Sequence, residues 1–130
     1  MAWTNEKDCL EAVKNYGWAL EFVKEQTPEI CLDAVKENGL SLEFVDEQTP
    51  ELCLEAVKND GFTIQYVKNQ TPELCLEAVK QDGMALEFVK NQTSEICVQA
   101  ILNDKDAKKY IRPEILKCKE FIQELLMETI

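Results

Sequence analysis

A unit of 22 residues, clearest in TPELCLEAVKNDGFTIQYVKNQ from Thr49 to Gln70, recurs along almost the whole chain. Residues 5–26, 27–48 and 71–92 are close copies, and a fifth begins at Thr93 and shortens to end at 111. A fixed period of this length restricts a chain to architectures in which one small unit stacks on its neighbours, because a single unit cannot bury its apolar face alone. What the copies keep then reports the demands of the stack, and what they vary is open to other uses.

Each copy reads as two short helices. In the second, Thr27 suits a helix cap, Pro28 suits the first helical position, and Glu29 sets a negative charge beside the positive end of the helix dipole. Over 28–38 the residues Ile30, Cys31, Leu32, Ala34 and Val35 cover an apolar arc wide enough to need neighbours on more than one side. Gly17, Gly39, Gly61 and Gly83 are all the glycines of the chain, and they read as helix stops free to turn left-handed. The large apolar residue after each (Trp18, Leu40, Phe62, Met84) suits the contact that accompanies such a stop. A second helix of about two turns is predicted next, over 40–48 in the second copy. Gln26, Gln48, Gln70 and Gln92 close their copies and read as groups that satisfy backbone at the turn between copies, ahead of a ligand-reading role.

Helices this short are marginal in water, so stacking must supply their stability. The end copies agree: Ile30, Leu52, Leu74 and Ile96 correspond to Asp8 in the first copy, which has no preceding neighbour. In the fifth, Leu102 replaces the lysines 36, 58 and 80, while Lys108 replaces Leu42, Ile64 and Leu86, so a different neighbour is expected there. That neighbour is the tail, predicted as a longer capping helix over 113–129 with Ile115, Cys118, Ile122, Leu125, Leu126 and Thr129 on one face. Its leftover apolar residues, Phe121 and Met127, offer a dimer contact as the alternative. The expected fold is all-α, an α-solenoid of about five helix-turn-helix repeats in one domain over 1–130.

The repeated core, TPE(I/L)CL(D/E)AVK followed by the glycine, (L/I).(F/Y)V and the closing glutamine, resembles the 4116 family of domains of unknown function, tandem helical repeats of this period. The resemblance covers residues 5–111 and implies an all-helical repeat fold with no catalytic residues to transfer. The fifth copy departs from the pattern, with Lys105 in place of glycine and Glu114 in place of glutamine.

Five of the six cysteines, Cys9, Cys31, Cys53, Cys75 and Cys97, fall at one repeat position, as a replicated core residue does. A disulfide framework is not expected, and with no histidine and no CxxC pair neither is a zinc site. No catalytic residues, cofactor or metal are expected: triads lack their base, no glycine-rich phosphate loop occurs, and no calcium-loop spacing is present. The Asn-x-Thr and Thr-Pro matches at 69, 91, 27, 49 and 71 arise from the repeat and read as structural. No apolar run of signal-peptide or membrane-span length occurs, so an intracellular, cytoplasmic setting is expected.

The formal charge of −11 disfavours direct contact with nucleic acid or an anionic membrane and favours a basic partner. Six acidic residues against one basic make the second copy the most acidic, at −5 where the others run from −2 to 0. Glu29, Asp33 and Glu37 share one helix face, where like charges gain nothing structurally, and Glu43, Asp46 and Glu47 follow. These six are the first candidate site, a docking patch for a basic protein or peptide. Trp3, Tyr16 and Trp18 at the N-terminal end are the second, either an aromatic lid or a partner hot spot. Self-association through these aromatics or the C-terminal helix is a further expectation. The function expected is a non-enzymatic binding module or scaffold. The alternatives are an acidic inhibitor that mimics nucleic acid in the basic groove of an enzyme, which would compete with DNA or RNA, and a purely structural repeat of a larger assembly.

Overall fold

The computed structural model describes residues 5–118 together with Phe121, Gln123, Leu125 and Met127. Five α-helices of ten residues each open the five copies: α1 (Glu6–Asn15), α2 (Pro28–Glu37), α3 (Pro50–Asn59), α4 (Pro72–Gln81) and α5 (Ser94–Asn103). The predicted starts hold atom by atom. Thr27, Thr49, Thr71 and Thr93 accept from the backbone N–H three residues on, at 3.2 to 3.3 Å, and Pro28, Pro50 and Pro72 occupy the first turn. Asn5 plays the cap in the first copy, accepting from the Lys7 N–H at 2.8 Å.

The second helix of each copy is tighter and shorter than predicted. It is a 3-10 helix of six residues, Gly39–Phe44 in the second copy, repeated at Gly17–Phe22, Gly61–Tyr66, Gly83–Phe88 and Lys105–Tyr110. Such helices seldom run past three or four residues, so these need help from neighbours. One source is the residue before the glycine: the side chains of Asn38, Asp60, Asp82 and Asp104 accept from the N–H two residues on, at 2.9 to 3.0 Å. Tyr16, at the same position in the first copy, makes no such bond.

The glycines serve a purpose other than the predicted stop. None has a positive φ, and each is the first residue of its 3-10 helix. A Cβ on Gly39 would lie 2.5 Å from the Ala56 carbonyl oxygen of the next copy, and Gly17, Gly61 and Gly83 stand likewise against Ala34, Ala78 and Ala100. Glycine is kept because successive copies touch backbone to backbone there. Lys105, with no following copy to meet, is exposed and needs no such sacrifice.

The α-helices pack side by side in one layer, and the 3-10 helices pack side by side in another. Each 3-10 helix also rests on the α-helix of its own copy and, in the first four copies, on that of the next. Between the layers runs a continuous core of Cys, Ala and Val from the α-helices with Leu20, Leu42, Ile64 and Leu86 from the 3-10 helices. Ile30, Leu52, Leu74 and Ile96 are buried, while Asp8, at the same position of the first copy, is exposed.

The repeated glutamines bind one copy to the next. Gln48 donates from Nε2 to the Tyr66 carbonyl at 2.7 Å and accepts on Oε1 from the Lys68 N–H at 2.9 Å; Gln26, Gln70 and Gln92 do the same with Phe44 and Asp46, Phe88 and Lys90, and Tyr110 and Arg112. Both backbone groups left open where a 3-10 helix ends are thereby satisfied from the copy before. Glu114, at the glutamine position after the fifth copy, has no following copy to reach.

At the C-terminal side, α6 spans Pro113–Leu116, Lys117 and Cys118 interrupt the helix, and Phe121, Gln123, Leu125 and Met127 are helical again. Ile115, Cys118 and Leu125 pack on the core. Phe121 is buried in it, so it is no free dimer contact, whereas Met127 is exposed. The remaining positions of the predicted cap, Ile122, Leu126 and Thr129 among them, lie outside the described residues.

Candidate functional site

The six acidic candidates of the second copy do not form one face. Glu29 and Glu37 are exposed at the two ends of α2, and Glu43 is exposed on the 3-10 helix of the other layer. Asp33 is half-buried and pairs with Lys14 of the first copy at 4.0 Å, so this carboxylate has the structural partner that the like-charge reading denied it. With an exposed lysine the pair contributes only about 0–1 kcal/mol. Asp46 and Glu47 belong elsewhere, on the turn between the 3-10 helix and α3.

That turn borders a groove of about 500 Å³ between the second and third copies. Pro28, Leu32 and Leu52 give it an apolar side, and Asp46, Glu47 and Glu51 give it three carboxylates. The thiol of Cys31 also lines it, donating to Gln26 Oε1 at 3.6 Å, the same oxygen that holds the Asp46 N–H. Exposed and unpaired by any cation among the described residues, the three acids are available to a ligand.

A second groove, of about 340 Å³, is the first one moved along by one copy. Pro50, Leu54 and Leu74 replace Pro28, Leu32 and Leu52, and Cys53 replaces Cys31. The charged side changes: Lys68 stands for Asp46, Asn69 for Glu47, and Glu73 for Glu51, while Asp46 itself also lines this groove, between the two. Asp46 is the exception along the whole array, since the same position holds Lys24, Lys68, Lys90 and Arg112. Arg112 uses its guanidinium on the backbone, donating to the carbonyls of Lys90 and Val89. The charge reversal at Asp46 was readable from the aligned copies, but its placement opposite Glu51 and two leucines was not, because the groove is made by two copies together.

The grooves' thiols are poor nucleophiles. Burial pushes Cys31 up to about 11, with the nearby Asp46 carboxylate adding to the effect, and burial raises Cys53 in the second groove; outside the grooves, burial takes Cys75 and Cys97 to about 11 as well. Among the described residues no three His, Cys, Asp or Glu side chains gather as a metal ion would need.

Of the aromatic set, Trp3 lies outside the described residues. Tyr16 is 60% exposed and Trp18 50%, their rings 5.7 Å apart, and Trp18 meets Phe22 edge-on at 6.3 Å. They stand on the 3-10 side of the first copy, apart from the residues that line the two grooves.

The family model of the domain of unknown function DUF4116 matches twice in tandem, over residues 5–49 and 49–93. The chain belongs to the DUF4116 family. Each DUF4116 match takes in two copies of the 22-residue unit, and the second ends on Thr93, the cap of α5. Past Thr93 the fifth copy, which lacks the repeated glycine and closing glutamine, falls outside the matched span, so the DUF4116 match is shorter than the 5–111 expected. No curated protein and no solved structure matches the chain. No helix among the described residues is long and apolar enough to cross a membrane.

Proposed function

We propose that this chain is a non-enzymatic binding module that seats a basic, extended segment of a partner protein along the edge where its α-helices begin. One observation carries the reading: the same groove recurs at successive copies with its apolar lining kept, while its charged residues change, and the acidity is greatest in the first, which Asp46, Glu47 and Glu51 all line. Residues needed only for the stack would recur as Gln26 and Gln48 do. A cationic side chain entering the first groove would meet a lining that carries three carboxylates and lay its stem on leucine. The raised thiols speak against nucleophilic chemistry, which needs a thiolate.

The test is a titration of the full chain with a fluorescent lysine- and arginine-rich peptide at low and high salt. Affinity should fall steeply with salt and drop at least about tenfold in Asp46→Lys/Glu47→Asn. The control Glu21→Gln/Glu87→Lys, with the same change in charge on exposed positions of other copies, should bind as the unchanged chain does. Equal losses in both variants would reduce the effect to net charge and sink the proposal.

A further inference from the structure

Asp46 and Thr49 line both grooves, so the two adjoin, and Asp46 stands where one passes into the other. We infer that Asp46 determines which segment binds: the occupant sets a Lys or Arg at this carboxylate and carries aliphatic residues on both sides of it. This rests on the binding reading above and adds the residue that selects the partner and the local sequence it selects.

The stack fixes the backbone at this position and leaves the side chain free to differ. The Asp46 N–H donates to Gln26 Oε1 at 2.9 Å, and Lys68, Lys90 and Arg112 are held in the same way by Gln48, Gln70 and Gln92. The Asp46 side chain itself is exposed. Its sign therefore changes the grooves without changing the packing. In the first groove it joins Glu47 and Glu51, with no cation in the lining; in the second it and Glu73 outnumber Lys68. A lysine there, as in the third and fourth copies, would leave the first lining with one net negative charge and turn the second net positive. Glu47 and Glu73 each line one groove only, so neither has this reach.

A cation held at Asp46 has an apolar lining to either side, Pro28 and Leu32 in one groove and Pro50 and Leu54 in the other. The neighbours of that cation along a bound segment fall on these surfaces. Aliphatic neighbours gain there by leaving water, a contribution that salt does not screen, whereas a run of basic residues gains through charge that salt does screen.

Fluorescence anisotropy on the full chain tests this with alanine-rich peptides that carry one central Arg and a three-residue leucine block on both sides, on one side or on neither. Each leucine block should tighten binding about threefold, at low and high salt alike. Asp46→Lys should weaken the two-block peptide at least about tenfold, while Glu47→Lys and Glu73→Lys, which change the net charge equally, should weaken it about threefold or less. Circular dichroism should show all three variants folded. Equal losses in the three variants, or affinity indifferent to the leucine blocks, would overturn the inference and leave the basic-segment reading standing. Absence of salt-sensitive binding by these peptides and by a lysine- and arginine-rich peptide alike would overturn both.

Discussion

The Gln48 amide nitrogen lies 2.7 Å from the carbonyl oxygen of Tyr66, eighteen residues on and one copy further along the stack. Replacing it with the near-isosteric glutamate removes the donor and sets a carboxylate against that carbonyl. Gln48→Glu should lower stability at pH 7 by about 1–3 kcal/mol, the cost of leaving a buried polar group unmet. The deficit should shrink as pH falls and the new carboxyl gains a proton it can donate. Urea midpoints at pH 7 and pH 4, compared with the unchanged chain, give the measurement.

Gly39→Ala asks the next copy to retreat from a contact at 2.5 Å, and the obstacle is the Ala56 backbone rather than a flexible side chain. A loss of about 1–3 kcal/mol is expected, in the range of overpacked cores. Lys105→Ala, at the same repeat position with no copy beyond it, should change the urea midpoint by no more than about 0.5 kcal/mol.

Tyr16→Asp should raise stability. Asp60 and Asp82 cap their 3-10 helices at this position, and Tyr16 does not. Restoring the cap should gain about 0.5–2 kcal/mol in thermal or urea unfolding. A gain would show that the exposed tyrosine is held at the expense of local stability.

The thiols give the chain an alkaline limit. Burial holds Cys31, Cys75 and Cys97 near 11 in the folded state against the ordinary 9.0, so between those values the unfolded chain has released protons that the folded chain still holds. Stability is therefore full below pH 9 and falls as pH rises through 11. Melting temperatures under reducing conditions from pH 7 to 11 should decline, and a Cys31→Ala/Cys75→Ala/Cys97→Ala variant should decline less steeply from its own lower starting point.

The period, the threonine caps and the buried α-helical face were all legible in the sequence, because each depends on residues close together within one copy. Glycine was misread for the opposite reason. Gly39 has the local signature of a helix stop, yet its partner is Ala56, in the next copy, and its φ is not left-handed. The 3-10 geometry of Gly39–Phe44 was hidden likewise, since its cap, Asn38, and its staple, Gln26, act from either side. Lys105, where the fifth copy departs from the pattern, is exposed, with no backbone of a following copy packed on it as Ala56 is on Gly39. For the candidate site, the acidity of the second copy could be counted, but only the stack separates Asp46 and Glu47 in a groove from Asp33 beside Lys14.

The central claim is that copied residues build the stack while departures from the copy recognise a partner. Reading urea denaturation and titration with a lysine- and arginine-rich peptide on the same samples of Asp46→Lys/Glu47→Asn and Gln70→Glu tests it most directly. The account predicts that the first variant keeps its urea midpoint and loses the peptide, while the second loses about 1–3 kcal/mol of stability and, where still folded, binds the peptide as before. A first variant that unfolds early yet binds the peptide undiminished would contradict it.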